Sequence, residues 1–273
     1  MAMTKDTLLS LDLGFNDCLY RIRRDEKNAK RVIYIVIKDL TIIPEEYRTC
    51  GPDVIRELSK LKEWYNTWNT LTVRKDGNGN IESKRDEFKP HALLEQHIVG
   101  PYNFFDILEL RILQSLKTRV FRVEHQGRPC FLKIARFGFE LDWLAREIKA
   151  YHTLSRHNST LAPALLGYAF EGPHRVIGFI FEEVTGRRPD ITDLGTCKTA
   201  LQQLHSLNII HGDINRDNIF ITSNGAKFID FEESSIGPIG SVEGWDKRKA
   251  EEILGLVEKL KDNSGKGRPW SDS

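Results

Sequence analysis

The 273-residue sequence predicts an α+β fold, and three local patterns carry that prediction. A hairpin is predicted at residues 119–135, where two apolar strands flank a Gln126-Gly127 turn. A helix is predicted over residues 140–156, where apolar residues recur at helical spacing. A second hairpin is predicted at residues 218–230, around Ser223-Asn224-Gly225. Hairpins and helices that follow one another in this way are typical of the α+β class.

The first hundred residues predict a further β-rich unit. Strands are expected at residues 18–24 and 30–40, and a hairpin at residues 71–83. Between them, residues 52–68 have the apolar spacing of an amphipathic helix. We interpret its stripe as core packing, and the region as an extension or cap on the rest of the chain.

The second strand of the first hairpin carries a single lysine, Lys133, between Leu132 and Ile134. Because side chains alternate along a strand, Lys133 is predicted to point away from the face of its two apolar neighbours. In the helix that follows, Glu147 lies inside the apolar stripe, where an unpaired carboxylate is costly to bury. An ion pair between Lys133 and Glu147 is therefore predicted. Glu140, at the helix start, is expected to have a capping role.

Polar residues of another kind cluster around the second hairpin. Asp213 and Asn218 lie five positions apart in the stretch HGDINRDN, and Asp230 follows the returning strand. The hairpin is predicted to bring Asn218 and Asp230 to the same end, within reach of one metal ion. Asp and Asn are also common in polar turns, so this interpretation depends on Lys133 and Glu147 upstream.

In this order and spacing, residues 105–260 resemble the protein-kinase-like superfamily. The resemblance is to its small atypical branch, with aminoglycoside and choline phosphotransferases and the minimal kinase of the tRNA threonylcarbamoyl-modifying complex, and to kinase-like proteins of filamentous fungi. It implies a bilobal protein-kinase-like fold with a truncated C-lobe and an N-terminal β-rich extension. The implied divisions are an extension or cap (1–100), an N-lobe with hinge (101–184), a short helical C-lobe (185–261) and a flexible tail (262–273).

The same resemblance implies roles for five polar residues. Lys133 would bind the phosphates of ATP, with Glu147 as its helical partner. Asp213 would be the catalytic aspartate, and Asn218 and Asp230 would be ligands of Mg²⁺. ATP and Mg²⁺ are therefore the expected substrate and cofactor.

The segment 179–186 matches the hinge of this superfamily. There the Glu182 carbonyl and the Val184 amide would face the adenine, with Phe181 at the gatekeeper position. His211, just before the catalytic stretch, is expected to be structural. These assignments follow from the resemblance alone.

The chain departs from the pattern where a glycine-rich loop is expected. Residues 114–123 contain no glycine, so backbone N–H groups approach phosphates less closely there. Lys117, Arg119 or Arg122 would supply positive charge in place of those N–H groups.

Two further departures lie downstream. Gly212 stands where regulated protein kinases carry an arginine that receives an activation-loop phosphate. Glu232 replaces a glycine two positions after Asp230, and fifteen residues separate Asp230 from Asp246, too few for a peptide-docking segment. Asp246 resembles the aspartate that braces the catalytic loop, and a carboxylate at a helix N-terminus is a slightly less favoured interpretation.

These features predict an ATP- and Mg²⁺-dependent phosphotransferase that acts on a hydroxyl, with a small molecule as the favoured acceptor. One alternative is an atypical protein Ser/Thr kinase or an ATPase subunit. Another is a nucleotide-binding pseudokinase that acts as an interaction module. The sequence does not name the acceptor.

Composition adds limits on partners and compartment. A net charge of +1 gives no strong attraction to nucleic acid or membranes, and neither is predicted as a partner. The four cysteines are isolated, without metal-ligand spacing, and are expected to be free thiols. No apolar run approaches the length of a membrane span. A cytoplasmic or nuclear location is predicted.

Overall fold

Two mixed β-sheets and four α-helices make up the described part of the chain. The computed structural model describes residues 5–27, 29–172, 175–237, 244–262 and 264–265. The α+β class predicted from the sequence is confirmed. The tail predicted from residue 262 lies for the most part outside the described residues.

The first sheet has its five strands in chain order. They are β1 (Lys5–Leu13), β2 (Cys18–Glu26), β3 (Ala29–Ile37), β4 (Thr70–Lys75) and β5 (Ile81–Arg85). All neighbouring pairs are antiparallel except β3 and β4, which are parallel. The connection between those two strands includes α1 (Gly51–Leu58), because parallel neighbours need a crossover.

The helix predicted over residues 52–68 is wrong in its length, since α1 ends at Leu58. A helix continuing to residue 68 would leave a single residue before β4, too few to reverse the chain. Trp64 and Trp68 instead enter the core from the turns that follow, each almost fully buried. The Trp68 indole N–H donates to the Glu63 carbonyl oxygen at 2.7 Å, which satisfies its polar atom.

The second sheet has six strands in the order β6-β10-β11-β9-β8-β7. They are β6 (Asn103–Asp106), β7 (Arg111–Lys117), β8 (Val120–His125), β9 (Arg128–Ile134), β10 (Leu165–Glu171) and β11 (Arg175–Glu182). The predicted hairpin is β8–β9, and the predicted helix is α2 (Leu141–Arg156). This helix packs on β10 and β11.

The remaining elements are mainly helical. They are α3 (Leu194–Ser206), β12 (Ile209–Ile210), β13 (Ile219–Thr222), β14 (Gly225–Phe228), β15 (Ser235–Ile236) and α4 (Trp245–Lys261). The predicted second hairpin is β13–β14, with Ile219 opposite Phe228. One apolar core joins these elements to α2 and the second sheet. In the part of the chain that the structure describes, no helix combines the length and apolarity needed to cross a membrane.

A buried polar cluster joins the two large sheets. Glu171, at the end of β10, is fully buried and receives the guanidinium of Arg21 from β2, whose Nε lies 3.0 Å away. The Tyr34 hydroxyl of β3 donates to the same carboxylate at 2.7 Å, and Arg175 lies 2.6 Å from it. The carboxylate is thus neutralised and hydrogen-bonded, as a buried charge requires.

Candidate functional site

Lys133 lies at the centre of a largely buried cluster of charged side chains. Leu132 and Ile134 enter a small apolar cluster on one face of β9, and Lys133 points to the other face, as predicted. Its Nζ atom lies 2.5 Å from Glu147 Oε2, 2.6 Å from Asp230 Oδ1 and 3.0 Å from Glu232 Oε1. The predicted contact between Lys133 and Glu147 is present. Three carboxylates therefore share one ammonium group.

This sharing sets the ionisation of the cluster. Burial disfavours the charged form of Lys133, but the three carboxylates outweigh burial and raise its pKa above the ordinary value. Burial, with repulsion from Asp230 and Glu232, raises the pKa of Glu147 to about 7. Lys133 and Lys117 hold the pKa of Asp230 at about 2 against its own burial. The pKa values of Lys133 and Glu147 are both raised. Both shifts have one cause, because three carboxylates share a single ammonium group that cannot fully compensate them.

The backbone at Asp230 is in the left-handed region, with φ at +66°. Non-glycine residues adopt this conformation only where surrounding contacts hold them. Here the neighbouring Phe231 N–H donates to Glu147 Oε1 at 3.3 Å, and the Phe231 ring packs on Tyr151 and His211. The α2 helix thus positions both Lys133 and the segment that presents Asp230.

Asp213 and Asn218 are held together by side-chain hydrogen bonds. Asn218 Nδ2 donates to the Asp213 backbone oxygen at 2.9 Å and to Asp213 Oδ2 at 3.1 Å. The Asn215 side chain caps the short turn between them by accepting the N–H groups of Asp217 and Asn218. No described residue donates to the Asn218 amide oxygen, so that oxygen is available as a ligand.

The loop before Asp213 is fixed by α4. Glu252 accepts the Gly212 N–H at 2.8 Å and the His211 N–H at 3.3 Å, and it lies 2.6 Å from His205 Nε2. These contacts lower the pKa of Glu252 despite its burial. Glu252 thus makes a bracing contact to the backbone of this loop.

His211 has the structural role that the sequence predicts. It is fully buried, its Nε2 lies 3.0 Å from the Ile229 carbonyl oxygen, and burial lowers its pKa. Gly212 follows with φ at +85°, and a Cβ there would collide with the Glu233 carbonyl oxygen. The segment after Asp230 therefore packs directly on this glycine, and any larger side chain at the position, arginine included, would displace that segment.

A cavity of about 400 Å³ opens beside Lys133. Of the predicted residues, Lys133, Glu147, Phe181, Asn218 and Asp230 line it. Its apolar wall also includes Leu116, Val120, Phe131, Phe220 and Ile229. The structure thus brings together in one cavity side chains that are widely separated in the sequence.

Three predicted residues lie elsewhere. Asp213 lines an adjacent cavity of about 280 Å³ against α4. Glu182 lines a cavity on the other side of β9, where its backbone N–H donates to the Ala164 carbonyl oxygen at 3.0 Å. Val184 lines none of these cavities, and Glu183 lies in the wall of the Lys133 cavity instead.

The β7–β8 hairpin places its cations over the Lys133 cavity. Lys117 Nζ lies 3.8 Å from Asp230 Oδ2, and Arg119 Nη2 lies 2.6 Å from Glu232 Oε2. Arg122 pairs with Glu183 at 2.7 Å across the cavity mouth. The positive charge expected in place of glycines is present, and each cation is already paired with a carboxylate of the site.

Sequence reasoning missed Glu183, Glu232 and Glu252 as members of this arrangement. For Glu252 a signal existed, since it precedes the buried Leu256 and Leu260 at intervals of four residues and so lies on the inner face of α4. The same logic identified Glu147. Glu183 and Glu232 lie outside helices and strands, where the spacing of apolar residues does not predict the direction of a side chain.

Comparisons with known proteins leave the family open. No family model matches this chain, and no curated protein matches it significantly. The functional interpretation therefore depends on the geometry of the site.

Proposed function

We propose that this chain is a phosphotransferase that uses ATP and Mg²⁺ and moves the γ-phosphate to a hydroxyl group, with a small molecule as acceptor. The proposal rests on one observation. Lys133, Glu147, Asn218 and Asp230 line one cavity, although Lys133 and Asp230 are 97 positions apart. These are the four residues, with Asp213, to which the kinase resemblance assigns chemistry.

The fold that goes with this proposal is bilobal and kinase-like. The second sheet and α2 would form the N-lobe, within residues 101–184, and the elements from α3 to α4 would form a short C-lobe, within residues 185–261. The cavity of Lys133 has walls from both parts, which supports this division. The first sheet would be the extension, within residues 1–100.

The donor atoms fit a magnesium ion bound with nucleotide. Asp230 is ionised at neutral pH because its pKa is near 2, and the Asn218 amide oxygen is free to accept. Glu147, Asp230 and Glu232 have ligand atoms within 4.8 Å of one another, but the ammonium group of Lys133 already contacts all three carboxylates. Asp230 and Asn218 are therefore the residues that would hold Mg²⁺, which supplies charge neutralisation at the transferred phosphate.

Lys133 would bind phosphate oxygens while Glu147 keeps its ammonium group in place. The apolar wall of Val120, Phe131, Phe181 and Ile229 suits a planar base. Asp213 would orient the acceptor hydroxyl and accept its proton. Its hydrogen bonds from Asn215 and Asn218 hold the carboxylate in a fixed direction.

A pseudokinase is the second candidate, and one observation favours it. Asp230 is paired with both Lys133 and Lys117, and the Leu116 side chain lines the cavity next to Lys117. A metal-bound nucleotide at Asp230 would have to displace Lys117 from its contact with that carboxylate. The pseudokinase alternative predicts nucleotide binding without phosphate transfer.

Calorimetric titration with Mg-ATP and transfer of radiolabelled phosphate to a panel of hydroxyl compounds test the proposal. Asp230→Ala and Lys133→Met should each weaken nucleotide binding by about tenfold or more. Asp213→Asn should retain binding and lose transfer by about a hundredfold or more. Asp142→Asn, an exposed aspartate at the start of α2, is the matched control and should change neither.

Absence of Mg-ATP binding by the unaltered chain would overturn both candidates. Binding with no transfer to any compound, unchanged by Asp213→Asn, would favour the pseudokinase. Full transfer by Asp213→Asn would refute the role assigned to that residue.

A further inference from the structure

A second cavity lies behind α2, on the side away from Lys133. Its volume is about 660 Å³, within the range of roughly 300–1,000 Å³ typical of small-molecule sites. Its walls come from α2, from residues 96–99, from the end of α3 and from residues 236–237. It shares no lining residue with the Lys133 cavity.

One face of α2 supplies four polar residues of the cavity wall. Lys149, His152, Thr153 and Arg156 are spaced by three, four and seven positions, so they lie on the same side of the helix. Glu147 lies on the opposite side, toward Lys133. A single helix therefore contributes to both cavities with different faces.

The described lining of this cavity contains cationic and imidazole side chains but no carboxylate. Among the described residues, neither Lys149 nor Arg156 has an acidic partner, and both side chains are exposed. By contrast, Arg136 before α2, Arg146 on α2 and Arg175 on β11 each pair with a glutamate. The positive charge of the cavity is thus left uncompensated by the protein.

His152 responds to this charge. Burial, together with the nearby Arg156 and His97, lowers the pKa of His152 to about 4. The ring is held by its contact with the Tyr168 hydroxyl at 2.8 Å and by stacking on Tyr102. At neutral pH His152 is therefore an uncharged, fixed group, and Lys149 and Arg156 carry the charge.

We propose that this cavity binds a small molecule that carries a phosphate group. The phosphate would contact Lys149 and Arg156, which together present several N–H donors to an anion. The apolar part of the ligand would lie on Val99, Ile148, Leu207 and Ile236 in the same wall. A concave site with both kinds of lining suits a phosphate ester better than an extended polyanion. The proposal does not depend on the function proposed for the Lys133 cavity.

Phenyl phosphate is a suitable probe, because it combines a phosphate with one aromatic ring. Calorimetric titration of the full chain in magnesium-free buffer should show binding at one site, tighter than that of inorganic phosphate. The double substitution K149Q/R156Q should weaken binding by about tenfold or more. The double substitution K84Q/K198Q removes the same charge from exposed positions elsewhere and should leave the affinity unchanged.

Three outcomes would overturn the proposal. The first is that phenyl phosphate does not bind at millimolar concentration. The second is that K149Q/R156Q and K84Q/K198Q bind it with equal affinity. The third is that Lys133→Met loses binding, which would place the probe in the Lys133 cavity. Equal affinity for inorganic phosphate and phenyl phosphate would overturn the assignment of the apolar wall. Thermal unfolding of each variant establishes that it is folded. The single substitution Arg156→Gln is a milder perturbation, and we expect it to reduce the affinity for phenyl phosphate by an intermediate amount.

Discussion

Arg21 and Glu171 form a buried ion pair across 150 positions of the sequence. Their side chains are 5% and 0% exposed, and the pair joins the first sheet to the second. Tyr34 and Arg175 complete the hydrogen bonding of the carboxylate. Because both charges are out of water, loss of Glu171 leaves Arg21 without its carboxylate, and loss of Arg21 leaves Glu171 with Arg175 as its remaining cationic partner.

Arg21→Met should lower the free energy of unfolding by about 3–5 kcal/mol, because it leaves Glu171 buried with fewer partners. Urea unfolding measures this loss. Arg23→Met is the matched control, because Arg23 lies on the same strand in a pair with Asp25 and is 37% exposed. Its loss should stay below about 1 kcal/mol. Equal losses in the two variants would contradict the importance given to the buried pair.

The same pair predicts a loss of stability in acid. Burial alone would raise the pKa of Glu171, but Arg21 and Arg175 lower it from 4.5 to about 2. The unfolded chain therefore binds a proton at higher pH than the folded chain. The stabilisation is present above pH 4.5 and is lost as the pH falls to about 2, a change of about 3 kcal/mol. Glu171→Gln should flatten this acid limb in urea unfolding measured at several pH values, and Glu46→Gln, at an exposed position, should not.

Gly212→Ala should destabilise the fold by about 1–3 kcal/mol. The position has φ at +85°, and a Cβ would collide with the carbonyl oxygen of Glu233. Gly255→Ala offers a contrast, since Gly255 lies inside α4 with no atom within 4 Å of an added Cβ. That substitution should stabilise by up to about 1 kcal/mol, through helix propensity. Thermal unfolding of both variants measures the difference, and a neutral Gly212→Ala would contradict the close packing described here.

Glu252→Gln tests the bracing of the 211–213 loop. It removes the charge that pairs with His205 and weakens the acceptor of two backbone N–H groups. We expect faster hydrogen exchange at the Gly212 amide and a loss of about 1–3 kcal/mol in unfolding free energy. Glu251→Gln, the exposed neighbour on α4, should leave both measurements unchanged. Protection of Gly212 that survives Glu252→Gln would assign the bracing to another group.

The sequence predicts a buried contact where a charged residue stands at a position that its periodic pattern assigns to the core. Glu147 lies in an apolar stripe and Lys133 in an apolar strand, and each mismatch predicts a buried partner. The two hairpins and α2 were predictable because their turns and spacing are local signals. The clustering of Asn218 and Asp230 on one cavity also follows from a local hairpin.

Other features depend on packing that no local pattern encodes. The first strand, β1, carries a bulge between Leu8 and Ser10, which breaks the alternation that would have identified it. The early end of α1 follows from the need to start β4, not from the residues after Leu58. Lys117 on β7 meets Asp230, and Lys133 on β9 meets Glu232, only because the 230–232 segment packs against these strands of the second sheet.

The order of the first sheet has a consequence for biosynthesis. Its strands lie in the sheet in the order of their synthesis, β1 to β5, around a core of their own. This unit can therefore collapse early on the nascent chain, before the second sheet is translated. Arg21 and Tyr34 then remain hydrated until Glu171 has been synthesised, so the final docking of the two sheets is a late step of maturation.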